Sequence, residues 1–266
     1  SGESRPSTAT CKGSGLLGTR PRHGDGTQHD LAVTSARVLT GEQSNTSLIA
    51  NVTLDGQELQ VITKVFRVLH DGRNPDVELQ GSLTAAGSTR VPRMLGWLQG
   101  GWTDQATGTR HTGDLAMAQQ FLPGVQDAWR EALRAATDNR DFTREARALG
   151  EATADVHAQL AAGQPTADAD AERVAGTIAG MRARLEEAIA ADPSVAEHRD
   201  AVERVFQRLE SADWPPLQRV HGDYHLGQVL DAPGLGWVLL DFEGEPLRPL
   251  AERALPDSPL RDVAGM

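Results

Sequence analysis

A chain of 266 residues with a formal net charge of −11 and a pI near 5.2 can form two lobes with separate cores, and its acidity excludes a broad grip on a nucleic-acid backbone. Cys11 is the only cysteine, which excludes an intrachain disulfide and a thiolate metal cluster. No apolar run reaches spanning length and no signal-peptide pattern is present, so no membrane partner is expected and the cytoplasm is the expected compartment. The chain does not begin with Met, and positions 1–30 show no clear periodicity. Strands are expected at 31–39, 46–54 and 58–69, the last two forming a hairpin around the turn signal at Asp55–Gln57. A helix is expected over 75–87, with Pro75 at its first position and Gly87 as its stop. Two more strands follow, within 91–102 and 114–124, joined by the turn-like "DQATG". From position 124 the spacing becomes helical, predicting helices over 125–137, 141–163, 170–191 and 194–212. Short strands return at "LQRV" (217–220), "QVLD" (228–231) and "WVLL" (237–240). "DSPLRDVAGM" reads as a helix start, with Ser258 as cap and Pro259 at the first position, and its short run suggests a fragment.

Chemistry gathers around "HGDYHLGQVL" and "WVLLDFEGEP". An antiparallel return through "APGLG" brings Gln228, at the start of one strand, beside Asp241, at the end of the other, with Asp223 in the loop feeding the same end. Two carboxylates and an amide around one small volume suit Mg²⁺, which prefers carboxylates and substrate phosphates, and an acid outside the metal set could accept a hydroxyl proton. The spacing of His221, Asp223 and His225 could also open a metallohydrolase site, but no histidine follows His225. The only lysines are Lys12 and Lys64, so an ammonium has been kept inside the apolar strand "LQVITKVFRVL" of a chain that otherwise uses arginine.

The pair "HGDYHLGQ" and "LLDFEGEP" resembles the phosphotransferase motifs of the aminoglycoside-phosphotransferase-like kinases, and "GEQSNTSLI", "TKVFR", "NPDVEL", "FEGEP" and "SPLRDVAGM" are similar to its actinobacterial maltokinase branch, which includes glucosamine kinases. The resemblance covers roughly positions 30–266 and implies an α+β, protein-kinase-like bilobal fold. Its parts would be a tail of a cap region (1–30), a strand-rich nucleotide-binding N-lobe (31–123) and a mainly helical catalytic C-lobe (124–266), cut at its C-terminus. It implies Asp223 as catalytic base, Gln228 and Asp241 as Mg²⁺ ligands and Glu243 as a further one. Lys64 would hold the α- and β-phosphates of ATP and pair with Glu78. Ser44, Asn45, Thr46 and Ser47 would bind phosphate, and the adenine edge would meet backbone at Gln120, Phe121 and Leu122. The implied activity is γ-phosphoryl transfer from ATP to a small sugar, with maltose as the first expectation and glucosamine as the alternative. A degenerate module that binds nucleotide or sugar without transfer is the reading from another class. The branch also implies association with a trehalose-pathway enzyme.

Overall fold

The computed structural model describes residues 18–19, 31–39, 45–54, 56–246 and 248–266. Its first part is a six-stranded antiparallel sheet made of β1 (Gly18–Thr19), β2 (Leu31–Val38), β3 (Asn45–Leu54), β4 (Gln57–Phe66), β5 (Met94–Thr103) and β6 (Arg110–Gln120). Their spatial order is β1-β5-β6-β4-β3-β2. Gly18 and Thr19, expected within a tail, pair with Leu98 and Trp97 and so extend this sheet. The β-branched runs on either side of Gly56 pair without a break from Asn45↔Phe66 to Leu54↔Gln57. Alternation along the strand then places Asn45, Ser47 and Ile49 on the buried face.

Between β4 and β5 runs α1 (Pro75–Ala85). Asn74 caps it by accepting the Asp76 N–H at 2.8 Å, and Pro75 sits where no N–H is needed. Its apolar residues serve two cores. Val77 packs with Phe66, Met94 and Met117 of the sheet. Leu79 and Leu83 join the core of the helical half. Each such side chain, fully buried, contributes about 1.5–3 kcal/mol before the entropy of ordering it. The helix is therefore a shared wall between the lobes.

The second part contains β7 (Gln126–Asp127), α2 (Ala128–Thr137), α3 (Thr143–Gly163), α4 (Ala171–Ala191), α5 (Arg199–Glu210), β8 (Val229–Ala232), β9 (Gly236–Leu239), α6 (Leu250–Arg253) and α7 (Leu260–Gly265). Leu149, Ala152, Val156 and Leu160 form the buried stripe of α3, against which α1 and β9 lie. In α4 only Ile178 is buried, and that helix is tied to α5 by the Arg182–Glu203 and Arg182–Glu210 ion pairs.

Two expectations need correction. The helix expected over 194–212 is a 3-10 turn at Pro193–His198 followed by α5, because Asp192 takes up the Ser194 N–H at 2.9 Å and caps the turn separately. The short strand expected at "LQRV" does not form: Leu217 and Gln218 make single bridges to Ala167 and Asp257, and the nearby sheet is β7-β8-β9. Just beyond, the His221 and Gly222 N–H groups go to the Asp262 side chain at 2.9 Å each instead of to a strand. The described structure is an α+β arrangement of an antiparallel sheet followed by helices and a short hairpin, as expected. Among the described residues no helix is long and apolar enough to cross a membrane.

Candidate active site

Two hairpins converge on one charge cluster. Lys64 lies on β4 directly across from Ser47 of β3, with its ammonium pointing at α1 and the second hairpin. Its Nζ donates to Asp76 Oδ2 at 2.8 Å and to Asp241 Oδ1 at 2.7 Å. Burial alone would lower the Lys64 pKa, but Asp76 and Asp241 outweigh it and hold the ammonium protonated well above its ordinary range. The partner on α1 is thus Asp76 rather than the expected Glu78. Asp76 is fully buried in the first turn, two residues earlier on the helix, and faces the lysine. Its other oxygen accepts from Gln80 Nε2 at 2.8 Å and from the Phe242 N–H at 2.9 Å, so this carboxylate binds both lobes. Glu78 turns instead to Arg219, whose Nη1 donates to Glu78 Oε2 at 2.6 Å. That contact leads from α1 to the residue two before His221.

The β8–β9 register, Val229↔Leu239, brings Gln228 and Asp241 together just past the ladder. Gln228 Nε2 donates to Asp241 Oδ2 at 3.3 Å. Asp241 has φ +66°, a left-handed conformation that aspartate tolerates better than most non-glycine residues. Phe242 beside it is fully buried, with its N–H on Asp76. For Asp241, burial favours the neutral acid, but the Lys64 ammonium overrides this and lowers its pKa. Glu243 accepts from Asn45 Nδ2 at 2.8 Å. Its pKa is raised, first by burial and then by the neighbouring Asp241 and Asp76 charges.

Ligand oxygens of Asp76, Asp241 and Glu243 all lie within 4.8 Å of one another. One ammonium against three carboxylates leaves an excess of negative charge, which the raised Glu243 registers. A hard divalent ion with oxygen ligands fits this donor set. Asp76 is the member that the sequence reading did not name.

Asp223 lies half-buried in the loop before the hairpin. His221 fixes that loop. Its Nε2 lies 2.6 Å from the Leu240 carbonyl, which only accepts, so Nε2 carries the proton and Nδ1 is free to accept the Asp223 N–H at 3.4 Å. Burial lowers the His221 pKa and keeps the ring neutral, in accord with that tautomer. His225 accepts the Gly227 N–H through Nδ1, and among the described residues neither ring belongs to a group of three or more potential metal ligands. Asp262 of α7 adds a third support. It accepts from the His221 and Gly222 N–H groups and from His157 Nε2 at 2.8 Å. Burial would raise the Asp262 pKa, but these donors more than offset it, and the carboxyl sits below its usual range. Asp262 and His157 were missed as site residues, although "SPLRDVAGM" contains the first of them.

The other expected residues divide. Asn45 and Ser47 lie on the face that carries Lys64, whereas Thr46 pairs with partly exposed Val65 and points to the opposite face. Thr46 is separated from the cluster because strand alternation overrides its place in the motif. Ser44 lies outside the described residues. At the proposed adenine edge, the Gln120 N–H donates to Arg93 O at 2.9 Å and the Phe121 N–H to Gln60 O at 2.8 Å. Among the described residues the Leu122 N–H has no backbone acceptor, which leaves it as the donor of the three.

Residues 53–266 match the model of the phosphotransferase enzyme family (APH). The glucosamine kinase of Streptacidiphilus jiangxiensis is 31% identical, over 93% of this chain and 62% of that protein. The glucosamine kinase of Mycolicibacterium smegmatis is 28% identical, over 92% of this chain and 61% of that protein. A solved structure of a glucosamine kinase in complex with glucosamine, ADP and inorganic phosphate superposes with a TM-score of 0.67 at 27% identity, covering 90% of this chain and 59% of that one. The chain thus spans about six tenths of the length of these relatives. Neither maltose as acceptor nor association with a trehalose-pathway enzyme gains support from them. Because the family match runs from the end of β3 through α7, taking in Lys64, Asp76, the hairpin and Asp262, the chain belongs to the phosphotransferase enzyme family.

Proposed function

We propose that this chain carries the phosphoryl-transfer centre of an ATP-dependent kinase acting on glucosamine. The carrying observation is the convergence of Lys64, Asp76 and Asp241 within hydrogen-bond distance, beside a loop in which the His221 and Gly222 N–H groups are held by Asp262 and the Asp223 N–H by His221. Glucosamine replaces maltose as the first acceptor because the relatives named above are glucosamine kinases. Asp223 accepts the proton of the attacking sugar hydroxyl. Lys64 neutralises phosphate charge, and its ordered position means that little reorganisation is needed. Asp241, Glu243 and Gln228, with Asp76 beside them, would hold Mg²⁺, which supplies charge neutralisation on the phosphates. Ser47 and Asn45 line the same face, and Leu122 offers its N–H to the adenine edge.

The test is ADP release from Mg·ATP with glucosamine and, separately, maltose. Turnover is expected with glucosamine, and Asp223→Asn should reduce it by roughly 10²–10⁴-fold while leaving ATP binding intact. Magnesium-dependent ATP binding without turnover on either sugar would overturn the kinase reading in favour of a nucleotide-binding module.

A further inference from the structure

The segment after Asp241 carries a guanidinium that the roles above do not use. Arg253, on the single turn α6, reaches back over this segment. Its Nε donates to the Arg248 carbonyl at 2.8 Å, Nη1 to the Glu243 carbonyl at 3.3 Å and Nη2 to the Pro246 carbonyl at 2.7 Å. The acids nearby are engaged elsewhere: Glu252 and Asp257 pair with Arg248, and Glu245 and Asp257 with Arg261. Among the described residues no carboxylate lies within ion-pair distance of Arg253. A cation spent on three neutral carbonyls fixes backbone geometry rather than balancing charge.

The packing agrees. Gly244 has φ +72°, and a Cβ there would lie 3.3 Å from the Arg253 side-chain stem. On its other side, a Cβ on Gly222 would come within 3.2 Å of Gly244 Cα. Gly244 thus lies tightly between the arginine stem and the loop that holds Asp223, and a side chain there would push the stem aside and strain the left-handed backbone. Glu243 sits between this clamp and Phe242, which is fully buried and tied to Asp76 by its N–H. Its carboxylate is held within 4.8 Å of two others, a position that mutual repulsion would otherwise empty.

We propose that Arg253 is a positioning residue: by binding the carbonyls of Glu243, Pro246 and Arg248 it delivers the Glu243 carboxylate to the metal-binding cluster. This rests on the reading of Asp241 and Glu243 as metal ligands. A lysine cannot replace it, because one ammonium cannot span three divergent carbonyls.

The test is Mn²⁺ binding to the 266-residue chain with a non-hydrolysable ATP analogue, followed by electron paramagnetic resonance. Removal of outer-shell partners typically weakens metal affinity by about 10–100-fold, and Arg253→Met should fall in that range. Arg253→Lys should weaken binding less, and Gly244→Ala should weaken it by displacing the arginine stem. Melting temperature is recorded in parallel. A merely structural role would lower melting while leaving the Mn²⁺ affinity of the folded protein unchanged, and that result overturns the proposal. If Arg253→Met does not fold, Arg253→Lys decides: unchanged affinity overturns, weakened affinity supports. Asp241→Asn separates the two levels. If it abolishes Mn²⁺ binding while the Arg253 variants do not alter it, only the clamp fails. If Asp241→Asn binds Mn²⁺ normally, the metal-site reading fails, and the clamp with it.

Discussion

The β3–β4 and β8–β9 hairpins each carry one charged residue to the same point, yet they are built in opposite ways. The first has ten-residue strands with ten paired positions, most of them only partly buried. The second has four-residue strands, of which Val229, Ala232, Trp237, Val238 and Leu239 are all buried. In the long hairpin, Lys64 is aimed by register: a slip of one residue would turn it to the face of Thr46 and Val65. In the short hairpin, Asp241 is aimed by burial, because Leu239 and Phe242 anchor the chain on both sides of it. One lobe thus specifies its charge by hydrogen-bond count and the other by packing.

The largest expected effect comes from cutting the point at which the hairpins meet. Lys64→Met leaves the fully buried Asp76 without its cation and should cost about 3–5 kcal/mol in urea unfolding. Adding Asp76→Asn should recover much of that loss, and no recovery would show that the two residues are not coupled. Next comes a break in packing alone. Leu239→Ala should cost about 2–5 kcal/mol, whereas Val52→Ala in the long hairpin removes fewer buried methyl groups and should cost less. Equal costs would erase the distinction between the hairpins.

The smallest effect is a pH dependence that sharpens the electrostatic side. The pKa of Glu243 is raised in the folded chain, so its contribution is fully present below the ordinary carboxylate range and is lost as pH rises through the raised value. The pKa of Asp241 is depressed, so its contribution is present above the ordinary range and is lost as pH falls through the lowered value. Melting measured across this range without divalent ions should show the loss on the alkaline side, and Glu243→Gln should remove it. A loss that persists in Glu243→Gln belongs to another group.

The legible features of the sequence were those whose partners lie close along the chain. Pro75 and Gly87 bracket α1, the turn at Gly56 sets the long hairpin, and "APGLG" brings Gln228 to Asp241. Residues with distant partners were not legible. Asp76 reads as an ordinary acid complementing the positive end of a helix, and only the folded lysine strand reveals its other role. Glu78, one turn-face away, was the reasonable choice from the motif, but helical geometry sends it to Arg219. Thr46 was grouped with its neighbours because a motif has no faces, whereas a strand does. Arg219 and Asp262 were silent because their partners lie 141 and about 40 positions away.

Those separations also bear on the order in which the molecule can be finished. Lys64 and Asp241 are 177 positions apart, Asn45 and Glu243 are 198 apart, and Asp262 reaches His157 across 105. Closing loops of that length comes late, after helices and hairpins have formed from local contacts. The loop amides of His221 and Gly222 in particular stay without their carboxylate until α7 docks. During refolding, helical signal should therefore return before hydrogen-exchange protection of the His221 and Gly222 amides, and the gap between them times the arrival of Asp262.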